Sequence, residues 1–185
     1  MLQYTVDWTT PHEAQWREWL GHLIGVDEVF MAELGCHEGR SSRWFIENIL
    51  TGQGARLWTF DIFPFPEIAA RFYRNTEGLV LNRKLSCEWC SSRGMQAFNN
   101  FDAIYIDADH KPSSVLIDAC NAWQALKPGG ILIFDDYRLV DMSRAVDVKT
   151  AVDSFCFAMG LTMHHSPWPT QYPDDHGQVM VKKSL

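Results

Sequence analysis

From residue 28 the chain alternates short apolar runs with stretches that are apolar along one face only. "EVFMAEL" (28–34), "RLWTFDI" (56–62), "KLSCEW" (84–89), "FDAIYIDA" (101–108) and "ILIFDDY" (131–137) read as strands. Between them, apolar residues at three-and-four spacing predict helices over 41–50, 66–75, 94–100 and 113–126, and a longer one over 143–160. "AIYI" and "ILIF" are apolar at every position, as strands of a parallel sheet covered on both faces must be. "LTMHHS" (161–166) and "QVMVKK" (178–183) are two last strands with no helix between them, which predicts an antiparallel hairpin at one edge. In that hairpin neighbouring His164 and His165 point to opposite faces, so one is expected packed and one exposed.

Before this alternation, Thr9-Thr10-Pro11-His12-Glu13 predicts a helix start: a threonine cap, proline in the first turn, and Glu13 three residues after Thr10. Trp16, Leu20, Leu23 and Ile24 then share one face, and Gly25 ends the run. "KPGG" (127–130) predicts a sharp turn before the fifth strand. Strands alternating with helices define an α/β fold: a doubly wound, Rossmann-like, mostly parallel sheet with helices on both faces and the antiparallel hairpin at its C-terminal end. One domain is expected over 1–185, with a helical segment at 1–27, a core at 28–160 and the hairpin at 161–185.

Composition narrows the function. The 185 residues carry a net charge of −7, which opposes nucleic acid as a partner, because phosphate binding needs a basic footprint. No apolar run is long enough to span a membrane, and the first sixteen residues have neither the basic nor the apolar part of a signal peptide. A cytoplasmic location is the expectation. Five cysteines, an odd number, suit no disulfide framework. "CEWC" (87–90) has redox spacing, but no helix start follows to activate it and no second pair or nearby histidine completes a zinc site.

In a doubly wound sheet ligands bind at the carboxyl ends of the strands. The first strand runs into "ELGCHEGRSS", where Gly35 and Gly39 permit a sharp turn and a close ligand approach. The spacing is not G-x-G-x-x-G, and Glu33 and Glu38 would repel a pyrophosphate, whereas Glu33 can accept a bond from a cationic amine. Asp61, ending the second strand, sits where a carboxylate can take both hydroxyls of a ribose; capping the next helix is its plainer role.

"ELGCHEGRS", "FD", "FDAIYIDADH" and "LKPGGILIFDDY" resemble the signature segments of class I S-adenosylmethionine-dependent methyltransferases, over about residues 28–160. The likeness is to the small-molecule branch with "IDGDH" and "DDY" strand ends, with Ala108 here in place of the glycine. It implies that Gly35 and Gly39 flank the methionine part of S-adenosylmethionine, with Glu33 anchoring nearby, and that Asp61 holds the ribose. Ser91 and Ser92 match the adenine-contacting segment, and Asp107 also lies at the cofactor. Trp89 is an adenine neighbour or a core residue.

Asp107 ends the fourth strand, and Asp135 and Asp136 end the fifth. Adjacent parallel strands lie about 5 Å apart, so three carboxylates converge, repel one another and invite a divalent cation such as Mg²⁺, Mn²⁺ or Ca²⁺. The resemblance extends this to O-methyltransferases in which carboxylates at these positions bind Mg²⁺ and the metal holds two substrate oxygens. In sugar-modifying relatives a D-x-x-H pattern like Asp107–His110 supplies a base; His110 and Asp109 are the catalytic candidates. The expected activity is O-methylation of a small-molecule hydroxyl, sugar or catechol-like. The alternatives are a metal-independent methyltransferase, a non-catalytic cofactor-binding module on the same fold and, weakened by the glycine spacing, a nicotinamide dehydrogenase. The partners expected are a small-molecule substrate and, in a homo-oligomer, further copies of the chain, with no nucleic acid and no membrane.

Overall fold

The computed structural model describes residues 2–185 apart from Arg83, Phe98, Asn99, Pro169, Thr170, Pro173 and Asp174, together with the side chains of Gln96 and Ala97. Parts of the helix expected over 94–100 and of the loop at 166–178 therefore lie outside the described residues. The chain divides into two compact units, Met1–Ser91 and Ser92–Leu185.

The first unit carries strands β1 (Phe30–Leu34), β2 (Arg56–Phe60) and β3 (Leu85–Glu88), all parallel, in the order β3-β2-β1. Helices α1 (Glu13–Leu20), α2 (Arg40–Asn48) and α3 (Pro66–Leu81) belong to the same unit. The apolar face read from the sequence buries Trp16, Leu20 and Leu23, with Trp16 against Trp44 and Phe45 of α2 at ring-centroid separations of 5.2 and 4.5 Å. Each such side chain contributes about 1.5–3 kcal/mol of burial. Ile24 leaves that face and is exposed. The helix start differs from the expectation too. The expected cap, Thr10, lies inside the first turn, and Thr9 before it makes no side-chain cap; Asp7 does, its Oδ1 accepting from the amides of Thr9 and Thr10 at 3.2 and 3.0 Å. A one-turn 3₁₀ segment, Thr10–His12, then leads into α1. Aspartate accepts two amides where threonine accepts one, which is why it takes the corner.

The second unit has β4 (Phe101–Ile106) parallel to β5 (Leu126–Phe134). Two short strands separate this core from the hairpin, β6 (Val140–Asp141) and β7 (Val146–Asp147), which pair with each other. The hairpin strands are β8 (His164–His165) and β9 (Val179–Lys182), with β9 antiparallel to both β5 and β8, as the sequence predicts. The order is β4-β5-β9-β8. Helices α4 (Pro112–Ala125) and α5 (Val148–Met159) pack on each other. Seven of these strands belong to one mostly parallel sheet flanked by helices, the expected doubly wound α/β class.

Three local expectations fail here for identifiable reasons. "KPGG" is a bulge inside β5 rather than a turn before it: Leu126 already pairs with Phe101, and Ile131 next pairs with Ala103. Gly129 at φ +80° absorbs the extra residues. The helix expected from 143 starts at Val148, because Asp147 caps it through the Thr150 amide at 3.0 Å and hydroxyl at 2.6 Å. His164 and His165 are both exposed, since β8 is a two-residue strand at the sheet edge, even though the Tyr137 ring lies 5.1 Å from that of His165. No described helix is long and apolar enough to cross a membrane.

Candidate functional site

The chain leaves β1 at Leu34 and enters α2 at Arg40 through a turn in which Gly35 and Gly39 both have φ +79°. Left-handed backbone at two positions explains both glycines. A side chain at Gly39 would also meet Thr76 Cγ2 at 2.8 Å and Phe72 at 3.0 Å, so this glycine lets α2 start close against α3. Glu33 is fully buried, and its two oxygens accept the hydroxyls of Ser41 and Ser42 in the first turn of α2. It ties strand to helix beneath the turn. Asp61 braces the turn from β2. Its Oδ2 accepts the amides of Cys36 and His37 at 2.9 and 3.2 Å, and its Oδ1 accepts that of Phe63 at 2.7 Å. Beside it Phe63, Tyr73 and the exposed Trp89 form an aromatic wall, with Phe63 and Trp89 centroids 5.2 Å apart and Tyr73 and Trp89 stacked. Trp89 is thus a surface residue, not a core one. Ser91 is exposed beyond it.

Two features of this unit escape the sequence pattern. The first is a strap formed by residues 3–7. Glu38, only 2% exposed, accepts the Thr5 amide at 2.6 Å and the Thr5 hydroxyl at 2.8 Å, and pairs with Arg71. Asn75 accepts the Gln3 amide at 2.9 Å and donates to the Gln3 carbonyl at 2.8 Å and the Glu38 carbonyl at 2.9 Å. Desolvation raises the Glu38 pKa, but the Thr5 amide and hydroxyl and Arg71 together outweigh it and hold the carboxyl below its ordinary value. A depressed folded pKa gives stability that is complete above the unfolded value of about 4.3 and is lost as pH falls through the folded one. Acidification below about pH 4 is therefore expected to release the Thr5 amide, read as a fall in its protection from hydrogen exchange by NMR. Glu38→Gln should remove that pH dependence, and an unchanged transition in this variant would disprove the coupling.

The second is a thiol pair. The buried Cys36 and the half-buried Cys87 come together, whereas the pattern had paired Cys87 with Cys90. A hydrogen bond from Cys36, joined by Thr59 and Tyr73, lowers the Cys87 thiol to about 7, while burial pushes Cys36 up. The thiolate is the reactive form. Iodoacetamide at pH 7 should label Cys87 first and leave Cys36 and Cys156, whose thiol burial raises to about 11, unlabelled in the folded protein, as peptide mass spectrometry would show. Faster labelling of Cys120, the exposed cysteine, would refute the activation.

In the second unit Ser92 is buried, its hydroxyl accepting from Asn121 Nδ2 at 3.0 Å and bonding Asp118 of α4. Asp107 follows β4 directly, and the Asp135 amide continues the ladder by donating to the Ile106 carbonyl at 2.9 Å. Asp107 and Asp135 are thus neighbours across β4 and β5. Asp135 is buried and committed: its Oδ2 accepts the Tyr105 hydroxyl and its Oδ1 accepts the Asp136 amide at 2.8 Å. Asp136 then adopts φ +52°, a left-handed backbone uncommon outside glycine, though better tolerated by aspartate than by most residues. Its Oδ2 lies 2.9 Å from His110 Nε2, which is also 3.7 Å from Asp107 Oδ1. Asp107, His110 and Asp136 each offer one ligand atom, and these atoms lie within 4.8 Å of one another.

Electrostatics follow from this geometry. Desolvation, opposed by the bond to His110 and reinforced by the charges of Asp135 and Asp136, raises the Asp107 carboxyl. Asp107 first, then Asp136, raise the His110 imidazole to about 10, so at neutral pH it is a cation seated between carboxylates. Asp109 is exposed, and its Oδ2 accepts the Ser114 hydroxyl at 2.7 Å while its Oδ1 takes the Lys111 amide at 3.4 Å, bracing the start of α4. Both candidates for the base are thereby engaged. Tyr105 was not singled out by the sequence; a lone hydroxyl in an otherwise apolar strand was its only signal.

A glycine turn braced by an aspartate after the first strand, and a carboxylate-rich rim after the fourth and fifth, define the class of Rossmann-like methyltransferases. The chain belongs to the methyltransferase domain family, whose profile matches residues 32–137, more than half its length. Solved structures agree at the level of fold. An O-methyltransferase from Bacillus cereus in complex with SAH is 17% identical, with 98% of this chain and 84% of that chain covered and a TM-score of 0.74. The O-methyltransferase TomG from Streptomyces achromogenes, involved in tomaymycin synthesis and solved with SAM, is 13% identical over 97% of this chain and 82% of its own, at 0.72. An rRNA methylase from Streptococcus thermophilus is 14% identical over 97% and 100%, at 0.68. No curated protein matches the sequence.

Proposed function

We propose that this methyltransferase transfers the methyl group of S-adenosylmethionine to a small-molecule hydroxyl, sugar or catechol-like, with a divalent cation held at the end of β4 and β5. The observation that carries the reading is the convergence of Asp107 and Asp136 at the ends of two neighbouring parallel strands, with the left-handed backbone of Asp136 fixing its carboxylate there. The O-methyltransferases among the similar folds support an oxygen acceptor.

The donor set suits both groups. Two carboxylates and a solvent-shielded imidazole nitrogen that converges on both of them fit a divalent ion. For the methyl donor, the glycine turn gives open backbone, Asp61 Oδ1 keeps a lone pair beyond the Phe63 amide it accepts, and Trp89 offers an exposed π-face for a base. Ser91 is exposed beside Trp89 and can contact that base, whereas Ser92 serves by fixing its segment to α4. When bound, the cation would lower the pKa of the acceptor hydroxyl and hold it for in-line attack. Asp107 and Asp136 hold that charge. Asp135 adds negative potential beside them and is kept in place by Tyr105.

Calorimetry and a transfer assay test this. S-adenosylmethionine should bind and NAD should not. Methyl transfer to a panel of catechols and sugars should fall about a hundredfold in EDTA and recover with added divalent ion. Transfer unaffected by chelation would remove the cation, and NAD binding in place of S-adenosylmethionine would remove the whole reading. Methylation of nucleic acid, which the rRNA methylase fold raises, is opposed by the net charge of −7.

A further inference from the structure

His110 Nε2 is the atom at this rim that faces both carboxylates. It is shut off from solvent yet has no aligned hydrogen bond. Its 2.9 Å approach to Asp136 Oδ2 and 3.7 Å approach to Asp107 Oδ1 put it in the concavity between the two carboxylates, where an ion would sit. The loop that carries it is anchored: the His110 carbonyl accepts the Asp147 amide at 3.3 Å, just before α5, and Pro112 opens α4 two residues on. Asp136, on the opposite side, is fixed by its own strained backbone and by the Leu139 amide donating to its carbonyl at 2.8 Å. The imidazole is thus held at the carboxylates from two directions, in place of the open position that a general base beside a substrate would need.

We propose that His110 is itself a ligand of the cation, so that Asp107, His110 and Asp136 present one nitrogen and two oxygens to it and the site selects a first-row ion such as Mn²⁺ over Mg²⁺ and Ca²⁺. This rests on the cation reading above and replaces proton transfer as the role of His110. Two ligands at about 2.1 Å from an ion and at right angles to each other lie about 3 Å apart. The Nε2–Asp136 separation of 2.9 Å already meets this, and the Nε2–Asp107 separation of 3.7 Å closes with a small side-chain rotation. Mg²⁺ and Ca²⁺ take oxygen ligands, whereas imidazole suits the borderline ions. A nitrogen ligand therefore costs affinity for the former and adds it for the latter. Coordination adds no oxidant and transfers no group; the ion replaces the proton on Nε2, which passes to solvent together with the water that the ligands displace from the ion.

The experiment uses the full-length, untagged protein with Mn²⁺ alone as the probe. Pulsed EPR should detect nitrogen bound directly to the manganese, and the pattern should change from ¹⁴N to ¹⁵N when the protein carries ¹⁵N-histidine. His110→Ala should abolish the nitrogen signal and lower Mn²⁺ affinity roughly tenfold or more, while changing Mg²⁺ affinity less than about threefold. Because the ¹⁵N measurement needs no variant, a misfolded His110→Ala cannot blur the result. Manganese bound without histidine nitrogen, with the same Mn²⁺ to Mg²⁺ preference in both proteins, overturns the ligand assignment and leaves the cation reading standing. Failure of the native protein to bind any divalent ion overturns both.

Discussion

Asp107→Ala is expected to lower turnover roughly 100- to 1,000-fold at saturating divalent ion while leaving the melting temperature unchanged or raised. The two halves of that result have one cause. Asp107 stands beside Asp135 and Asp136, and its raised pKa records what holding it there costs: desolvation, then the repulsion of two neighbouring charges, relieved in part by His110. Deleting the carboxylate removes that repulsion, so the fold loses little. The same deletion takes away a charge that holds the cation, and a hydroxyl acceptor then keeps its proton and its freedom to turn. Affinity for S-adenosylmethionine should change much less than turnover. Steady-state kinetics with a thermal melt read both effects. A variant within threefold of the native rate would show that Asp107 holds nothing the reaction needs.

Asp61→Ala is expected to weaken S-adenosylmethionine binding about 100-fold and to destabilise the protein by about 3 kcal/mol. Asp61 braces the turn and, in the proposed reading, holds the ribose through the same carboxylate. It accepts the amides of Cys36 and His37, which belong to the glycine turn, and that of Phe63, whose φ of +41° is unfavourable for an aromatic residue. Removing it leaves three amides without an acceptor and lets the turn relax, each loss costing about 1 kcal/mol where water can partly substitute. The proposed ribose contact would be lost with it. Asp61→Asn separates the two roles: it keeps an acceptor oxygen for part of the turn and should recover most of the stability but less of the affinity. Calorimetry and urea unfolding measure these independently. Full affinity in Asp61→Ala would place the cofactor elsewhere.

The strands that build both sites could be read from the sequence because burial on two faces leaves no room for polar positions. "AIYI" and "ILIF" are continuous apolar runs, and every residue of each is buried. The carboxylates at their ends were legible for the same reason: charge directly after such a run has to be at a rim. Boundaries were less legible. The third helix continues to Leu81 past Asn75, because Gly78 meets open space and costs the helix only its propensity. The fifth starts late because two aspartates, Asp141 and Asp147, capture the backbone before it.

Contacts remote in sequence were not legible. The Thr5–Glu38 latch, the Cys36–Cys87 pair and the Tyr105–Asp135 bond join residues 33, 51 and 30 positions apart and belong to no periodic pattern. They also decide roles. The sequence offers Asp107, Asp135 and Asp136 as equals, whereas Tyr105 and the Asp136 amide occupy Asp135, and His110 joins the other two. Likewise Glu33 reads as a carboxylate beside the glycine turn, and only the packing of α2 shows both its oxygens held by serines.

The central claim is that a divalent ion sits at this rim. Crystals grown with millimolar Mn²⁺ and S-adenosylmethionine, with diffraction recorded at the manganese absorption edge, test it most directly. The account predicts an anomalous peak at bonding distance from carboxylate oxygens of both Asp107 and Asp136. An empty rim under these conditions, with manganese located elsewhere or nowhere, would contradict it.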